Sequence, residues 1–251
     1  MEVWKYNFSG QGEMMFHVEV FDDWKLDPLQ AVSPQLRLRL RSRIIRNDLK
    51  PMTRLSEPEL ATEYGVSRQP VREAFITLAN EGLLEIRPQR GTRVKLIDFE
   101  TVLDGRFVRE AVEADIVKKI AKNPTQELIS ELRRQIDTQM KIAEGDAPEK
   151  FIEIDELFHF TLASAAGLRK AWGYLEAIKA QMDRVRFITM EEFPIATLIK
   201  QHQQIVEFIE QRTPERAEEA MRKHLREILQ SLPKIQQLYP DYFENSREIN
   251  P

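Results

Sequence analysis

Only four histidines occur in the chain, and three of them fall where an imidazole could hold a metal ion. In FIEIDELFHFTLASA, Phe151, Asp155, Phe158, His159 and Leu162 share one helical face, so Asp155 and His159 are neighbours at i, i+4. Leu198, His202, Ile205 and Ile209 align in a second run. Ala217, Met221, His224 and Ile228 repeat the same 0, 4, 7, 11 register in a third. A carboxylate on an apolar face is costly unless it is paired or bound to a cation. One Asp and three imidazoles converging in a bundle core would make a divalent-metal site with open positions for water or a ligand. Such a ligand set suits zinc first, with nickel, manganese, iron or cobalt as alternatives depending on supply. The competing reading makes each histidine an ordinary hydrogen-bonded core residue.

The elements that must position these residues are helices. From Asp98 onward apolar residues recur at helical spacing, and no strand pattern is present. The expected helices are Phe99–Lys122, Gln126–Glu144, Pro148–Ala166, Arg169–Glu191, Ile195–Gln211 and Pro214–Gln237. Breaks are expected at Asn123-Pro124, Gly145-Asp146, Gly167, Pro194 and Thr213-Pro214. Short connections between them imply an all-α antiparallel bundle over residues 98–238, large enough for its own core.

A second constellation lies in LSEPELATEYGVSRQPVREAFITLANEGLLEIRPQRGTRV, residues 55–94. Ser67 can cap a helix by accepting a backbone N–H, and Pro70 then falls in the first turn, where no donor is missed. Val71, Ala74, Phe75, Leu78 and Ala79 form the apolar stripe, and Gly82 is placed to end the helix in a left-handed conformation. Ser56 can cap a shorter helix that carries Leu60, Ala61 and Tyr64 inward and closes at Gly65. An earlier helix, about Pro34 to Asn47, supplies Leu36, Leu40, Ile44 and Ile45. Two helices joined by a glycine-containing turn, followed by the strand-like LLEI and RVKLI, read as a winged helix-turn-helix over residues 33–97. Residues 33–95 hold 13 Lys/Arg against 7 Asp/Glu, although the whole chain carries −4. A basic module on an acidic protein suits phosphate contact.

GVSRQPVREAFITLANEGLLEIRPQRGTRV resembles the N-terminal domain of the GntR family of bacterial regulators, whose usual run is GVSRxPVREAL, LxxEGL and a wing ending RGxxV. That resemblance implies that Ser67, Arg68, Gln69 and Arg72 contact double-stranded operator DNA. It places the wing tip, Gln89, Arg90 and Gly91, in the neighbouring minor groove. Pro58 stands where some relatives have a basic residue, so that contact is not expected. The helical part resembles the FCD domain of the FadR-type branch, in which a D-x3-H helix is followed by two later histidines. Here those positions are Asp155, His159, His202 and His224. In metal-containing members a small carboxylate completes the coordination sphere while arginines hold its other end. Arg109, on a stripe with Gly105, Val112 and Ile116, matches the family's arginine in the first bundle helix, and Arg186, one turn after Met182, is a second candidate. Gly167-Leu168 replaces the common Gly-Asn, so any contact of that asparagine is missing. LANEG and DRVRF resemble a subgroup of starvation-sensing regulators set in sugar-acid metabolism.

Composition narrows the classes. Without cysteine there are no disulfides or thiolate metal sites, which fits a reducing cytoplasm. No apolar run reaches the ~18 residues needed to cross a membrane, and the acidic residues 1–32 do not read as a secretory signal. Residues 1–32 and 239–251 are expected to be tails. The expected protein is a homodimeric, ligand-responsive repressor of a carbohydrate or organic-acid operon on a pseudo-palindromic operator, its effector a small carboxylate or sugar acid. A metal sensor or structural metal site without an organic effector is the alternative. A metal-dependent hydrolase is less favoured, because helical geometry turns Glu153 and Glu156 to other faces than Asp155.

Overall fold

The computed structural model describes residues 2–8, 14–20, 26–145, 148–189 and 195–244. Contacts divide the chain into two compact units, residues 1–44 with 52–95 and residues 45–51 with 96–251.

The first unit opens with a hairpin that the sequence reading took for a tail. Strands β1 (Glu2–Phe8) and β2 (Met14–Val20) pair antiparallel, with Trp4 opposite Val18 and Tyr6 opposite Phe16. Phe21 and Trp24 lie outside the described residues. Helix α1 (Val32–Ile45) follows, then β3 (Arg54–Leu55), α2 (Glu57–Glu63), α3 (Arg68–Asn80), β4 (Leu84–Arg87) and β5 (Gly91–Val94). The winged sheet has the order β3-β5-β4, so the short β3, absent from the sequence reading, covers the outer edge of β5. The second wing strand spans Gly91–Val94 rather than continuing through RVKLI, with one further in-register bond from the Lys95 N–H to the Leu83 carbonyl. Leu36, Leu40 and Ile44 of α1 close over Val71, Ala74, Phe75 and Leu78 of α3, all essentially solvent-free. Arg37 and Arg41, one turn apart, both grip Glu81 at the end of α3, at 2.7 and 3.2 Å.

Local capping explains the helix boundaries. Ser56 Oγ accepts the Glu59 N–H, and Gly65 and Gly82 take φ of +64° and +73° where α2 and α3 end. Ser67 occupies the N-cap position of α3, but its hydroxyl makes no capping hydrogen bond, contrary to expectation. Its extended backbone (φ −74°, ψ 165°) still starts the helix while the exposed hydroxyl stays available to another acceptor or donor.

Among the described residues the second unit is helical apart from one bridge between Ile97 and Phe243. Its helices are α4 (Phe99–Lys122), α5 (Gln126–Ala143), α6 (Pro148–Ala165), α7 (Arg169–Ile178), α8 (Ala180–Ile188), α9 (Ile195–Glu210) and α10 (Pro214–Leu238). The helix expected over Arg169–Glu191 is therefore two, bent at Lys179, where no proline or glycine marks a break. Lys179 is buried there, its ammonium held by Glu156 and Asp183 at 2.6 Å each. The expected breaks at Asp146 and Pro194, and residues 190–191, lie outside the described residues. The apolar core gathers Val117, Leu132, Phe158, Leu162, Ile205, Ile209 and Met221 from five helices. None of the described helices is long and apolar enough to cross a membrane.

Gly105 is fixed by close approach rather than by its backbone angles. A Cβ there would stand 2.9 Å from the Ile178 carbonyl oxygen, so α4 and α7 touch only because that position is bare. Gly105→Ala should destabilise the helical unit by about 1–3 kcal/mol, as overpacking against backbone does. A thermal melt unchanged from the parent protein would contradict this.

Candidate metal centre and nucleic-acid interface

Asp155 and His159 come from α6, His202 from α9 and His224 from α10, each on the apolar stripe of its helix and each at most 6% exposed. One ligating atom from each of the four lies within 4.8 Å of all the others. His159 Nε2 is 3.1 Å from His224 Nε2, which is 3.2 Å from His202 Nε2. His202 Nε2 stands 3.4 Å from Asp155 Oδ1.

The outer nitrogens decide what those inner atoms are. His202 Nδ1 lies 2.8 Å from Gln139 Oε1 and His224 Nδ1 lies 2.9 Å from Gln201 Oε1. Gln201 cannot be turned round, because its Nε2 donates to Glu227 Oε2 at 2.8 Å. His159 Nδ1 faces Glu113 Oε2 at 2.5 Å, an ion-pair contact whose angles depart from hydrogen-bond geometry. The Gln201 oxygen places the His224 proton on Nδ1, and with the same tautomer on His202 and His159, each with an oxygen beside Nδ1, three Nε2 lone pairs face one another. Burial pushes the His202 imidazole down to about 3 despite nearby Asp155, and burial drives His224 well below its ordinary value as well. Both rings are thus neutral at physiological pH.

Asp155 remains charged. Burial raises its carboxyl, but Arg186, hydrogen-bonded to Oδ2, together with the three neighbouring imidazoles holds it well below the usual carboxylate range. Its Oδ1 is buried without a hydrogen-bond partner. Three lone pairs and an orphaned carboxylate oxygen at 3.1–3.4 Å repel one another unless a cation sits among them. Ligands at about 2.0–2.1 Å from a tetrahedral ion would be about 3.3 Å apart, which matches the three contacts of 3.1–3.4 Å, while the set as a whole lies within 4.8 Å.

Arginines border this cluster. Arg109 is hydrogen-bonded through Nε to Glu113, while its NH2 group is buried without a partner. Arg186 NH1 likewise lacks one, standing 3.9 Å from Glu156 and 3.8 Å from Asp183. Burial raises Glu113, yet Arg109 and His159 bring it down to about 2, so it is ionised. Arg109, Asp155, Arg186, His224 and Glu227 line a cavity of about 30 Å³, with Met182, Leu198, Leu225 and Ile228 as its apolar wall. That space holds one or two waters. Glu156, the flanking carboxylate considered as a base, is bound to Lys179.

Glu113, Gln139, Gln201 and Glu227 escaped the sequence reading, although the first two carried a signal. Glu113 follows Arg109 by four residues on a face otherwise lined by Val, Ala and Ile. Gln139 continues the stripe of Ile129, Leu132 and Ile136, an amide where an apolar residue is expected.

In the other unit Ser67, Arg68, Gln69 and Arg72 are all exposed along the N-terminal half of α3. Gln69 Nε2 donates to Glu73 Oε1 at 3.0 Å, and Arg72 Nε lies 3.5 Å from Glu57 Oε1. In the wing Gln89, Arg90 and Gly91 are exposed at the tip, where Gln89 and Gly91 adopt φ of +60° and +91°. Arg54, Arg87, Arg90 and Arg93 surround a cleft of about 480 Å³ there. Four guanidinium groups with one carboxylate, Glu85, bridging Arg87 and Arg93 leave this edge cationic.

Comparison with known proteins agrees with both units. Residues 33–94 match the family described as bacterial regulatory proteins of the gntR family, and residues 106–227 match the FCD domain. The chain is 37% identical over 220 residues to the HTH-type transcriptional repressor RspR of Escherichia coli, covering 87% of this chain and 96% of RspR. It is 27% identical to the repressor GlaR of the same organism over 79% of this chain and 93% of GlaR. Its fold is similar to that of E. coli McbR/YncC, with a TM-score of 0.67 at 19% identity over 84% of this chain and 99% of that one. A GntR-type regulator from Rhodococcus sp. RHA1 gives 0.64 at 20% identity, over 82% and 98% of the two chains. A helix-turn-helix with a basic wing, joined to a helical unit of FCD type, makes this chain a transcriptional regulator of the GntR family.

Proposed function

We propose that the protein is a metal-assisted, carboxylate-responsive repressor that acts in the cytoplasm as a homodimer on a pseudo-palindromic operator. The observation that carries this reading is the set of three inward Nε2 lone pairs beside Asp155 Oδ1, with unpartnered guanidinium nitrogens of Arg109 and Arg186 next to it. Asp155, His159, His202 and His224 would hold the ion, zinc being the best match to a compact set of nitrogen and oxygen donors. Bound there, the ion supplies a Lewis-acidic point for an anion. Arg109 and Arg186 supply the complementary donors, and burial strengthens both attractions. Glu113, Gln139 and Gln201 orient the imidazoles.

Ser67, Arg68, Gln69 and Arg72 would enter the major groove, with Gln89, Arg90 and Gly91 in the adjacent minor groove. Exposure of all seven supports this assignment. Two copies related by a two-fold axis match a two-fold operator. A coupling of about 1–3 kcal/mol between effector and operator suffices to change occupancy. A carbohydrate or organic-acid catabolic operon as the target is supported by 29% identity to a protein of Paenarthrobacter nicotinovorans described as a probable D-xylose utilization operon transcriptional repressor.

Three outcomes are expected. Operator titrations against salt should show Arg72→Ala weakening binding and lowering the log–log slope by about one, as loss of one phosphate contact does. An unchanged slope and affinity would exclude Arg72 from the interface. Replacing both His202 and His224 by Ala should abolish bound metal, read by elemental analysis, while the metal-free protein still binds operator. Parent protein that purifies free of metal and still answers its effector fully would exclude the metal reading. Glu113→Gln should lower metal affinity by about 10–100-fold, as loss of a carboxylate behind a ligating histidine does. Equal affinities measured by competition with a chelator would leave Glu113 a purely structural ion-pair partner.

A further inference from the structure

The outward face of the wing sheet carries more positive charge than its own carboxylate answers. Arg54 of β3 stands directly opposite Arg93 of β5, and Arg93 stands opposite Glu85 of β4, so the three residues form one row across the sheet. Partners directly opposite share a face, and Arg87, two residues along β4 from Glu85, lies on it too. The other face, with Leu55, Leu84, Thr92 and Val94, is buried. Glu85 accepts from Arg87 Nε at 2.8 Å and from Arg93 Nε at 2.6 Å, one on each carboxylate oxygen. Arg54 is exposed, and among the described residues no carboxylate pairs with it. Like charges directly opposite across a strand pair repel, and this pair lines the cleft of about 480 Å³.

We infer that this face is a binding site for DNA phosphate, with Arg54 a backbone contact that lies outside both the recognition helix and the wing tip. The register supplies the geometry. Arg87 is level with Gly91 at the tip, whereas the row of Arg54, Arg93 and Glu85 lies two residues, about 7 Å, behind it. A minor groove is about 7.5 Å deep, and its rims are the two phosphate strands. With Gly91 at the floor, Arg54 and Arg93 come level with a rim. A phosphate set between the two guanidinium groups relieves their repulsion and gives Arg54 a charged acceptor. Glu85 acts in the opposite sense. It ties Arg87 and Arg93 to the sheet and offsets one of three positive charges, which restrains attraction to DNA of any sequence. Phosphate contacts carry no sequence information, so the site adds affinity and fixes the approach of the wing without reading bases.

This inference rests on operator binding through α3 and the wing tip, and the test separates the two. Full-length protein is titrated with two labelled duplexes, one from its own promoter region and one of scrambled sequence, at about 50 to 200 mM salt. Arg54→Gln should lower the log–log slope by about one on both duplexes, while Arg54→Lys keeps the parent's slope. Glu85→Gln should tighten binding to both by about twofold to fivefold, the worth of an exposed charge pair. Thermal melts recorded beside each titration show that the unit is intact. If Arg72→Ala lowers the slope but Arg54→Gln does not, or if Glu85→Gln leaves affinity unchanged, the sheet face is no phosphate site and the operator reading survives. If the parent protein binds neither duplex, both fall.

Discussion

Four buried acceptors cannot share a point in a helical core without something positive among them. Asp155 and three imidazoles are brought to that point by α6, α9 and α10, and the groups behind them enforce the conflict rather than relieve it. Gln139, Gln201 and Glu113 each take up an outer nitrogen, turning every inner nitrogen into an acceptor. Hydrogen bonding among the rings would satisfy a core built for stability alone. With the Nδ1–H tautomer on each ring that route is closed, and a divalent cation would resolve the conflict. The charges further out follow from this centre: Arg186 on Asp155, Arg109 on Glu113, and Lys179 between Glu156 and Asp183.

The same buried charge explains why this end of the bundle is suited to sense rather than merely to fold. Breaking a buried ion pair is expensive, so alternative arrangements are few and discrete. An anion arriving beside Arg109 and Arg186 would change the partners of groups already linked to the proposed metal ligands, and in the proposed function such rearrangement would transmit occupancy. The DNA-binding unit is built differently. Its proposed contact residues lie on a three-helix core and on a wing closed by β3, and the candidate readers Gln69 and Arg72 have solvent-accessible carboxylate neighbours, Glu73 and Glu57. Weak, solvated pairings of that kind are readily exchanged for phosphate or base edges.

Much of this was legible in the sequence because burial follows period. The 0, 4, 7, 11 spacing put His202 and His224 on stripes that are indeed buried, and the i, i+4 pair on α6 placed Asp155 beside His159. Helix ends at Gly65, Gly82 and Gly167 were readable because positive φ strongly favours glycine. What escaped were features fixed by partners distant along the chain. The bend at Lys179 carries no local breaker, and its buried ammonium makes sense only with Glu156 of another helix in place. Gln201 and Glu227 look like surface residues until α9 and α10 are packed together. The hairpin of β1 and β2 was not foreseen although Trp4, Tyr6 and Phe8 alternate along EVWKYNF.

The most direct measurement of the central claim is X-ray absorption at the metal edge, on protein purified without chelator. The account predicts a divalent first-row ion whose nearest shell shows the multiple scattering of three imidazoles together with oxygen at about 2.0–2.2 Å. An absorption edge with no imidazole signature, or protein with no metal to absorb, would contradict it.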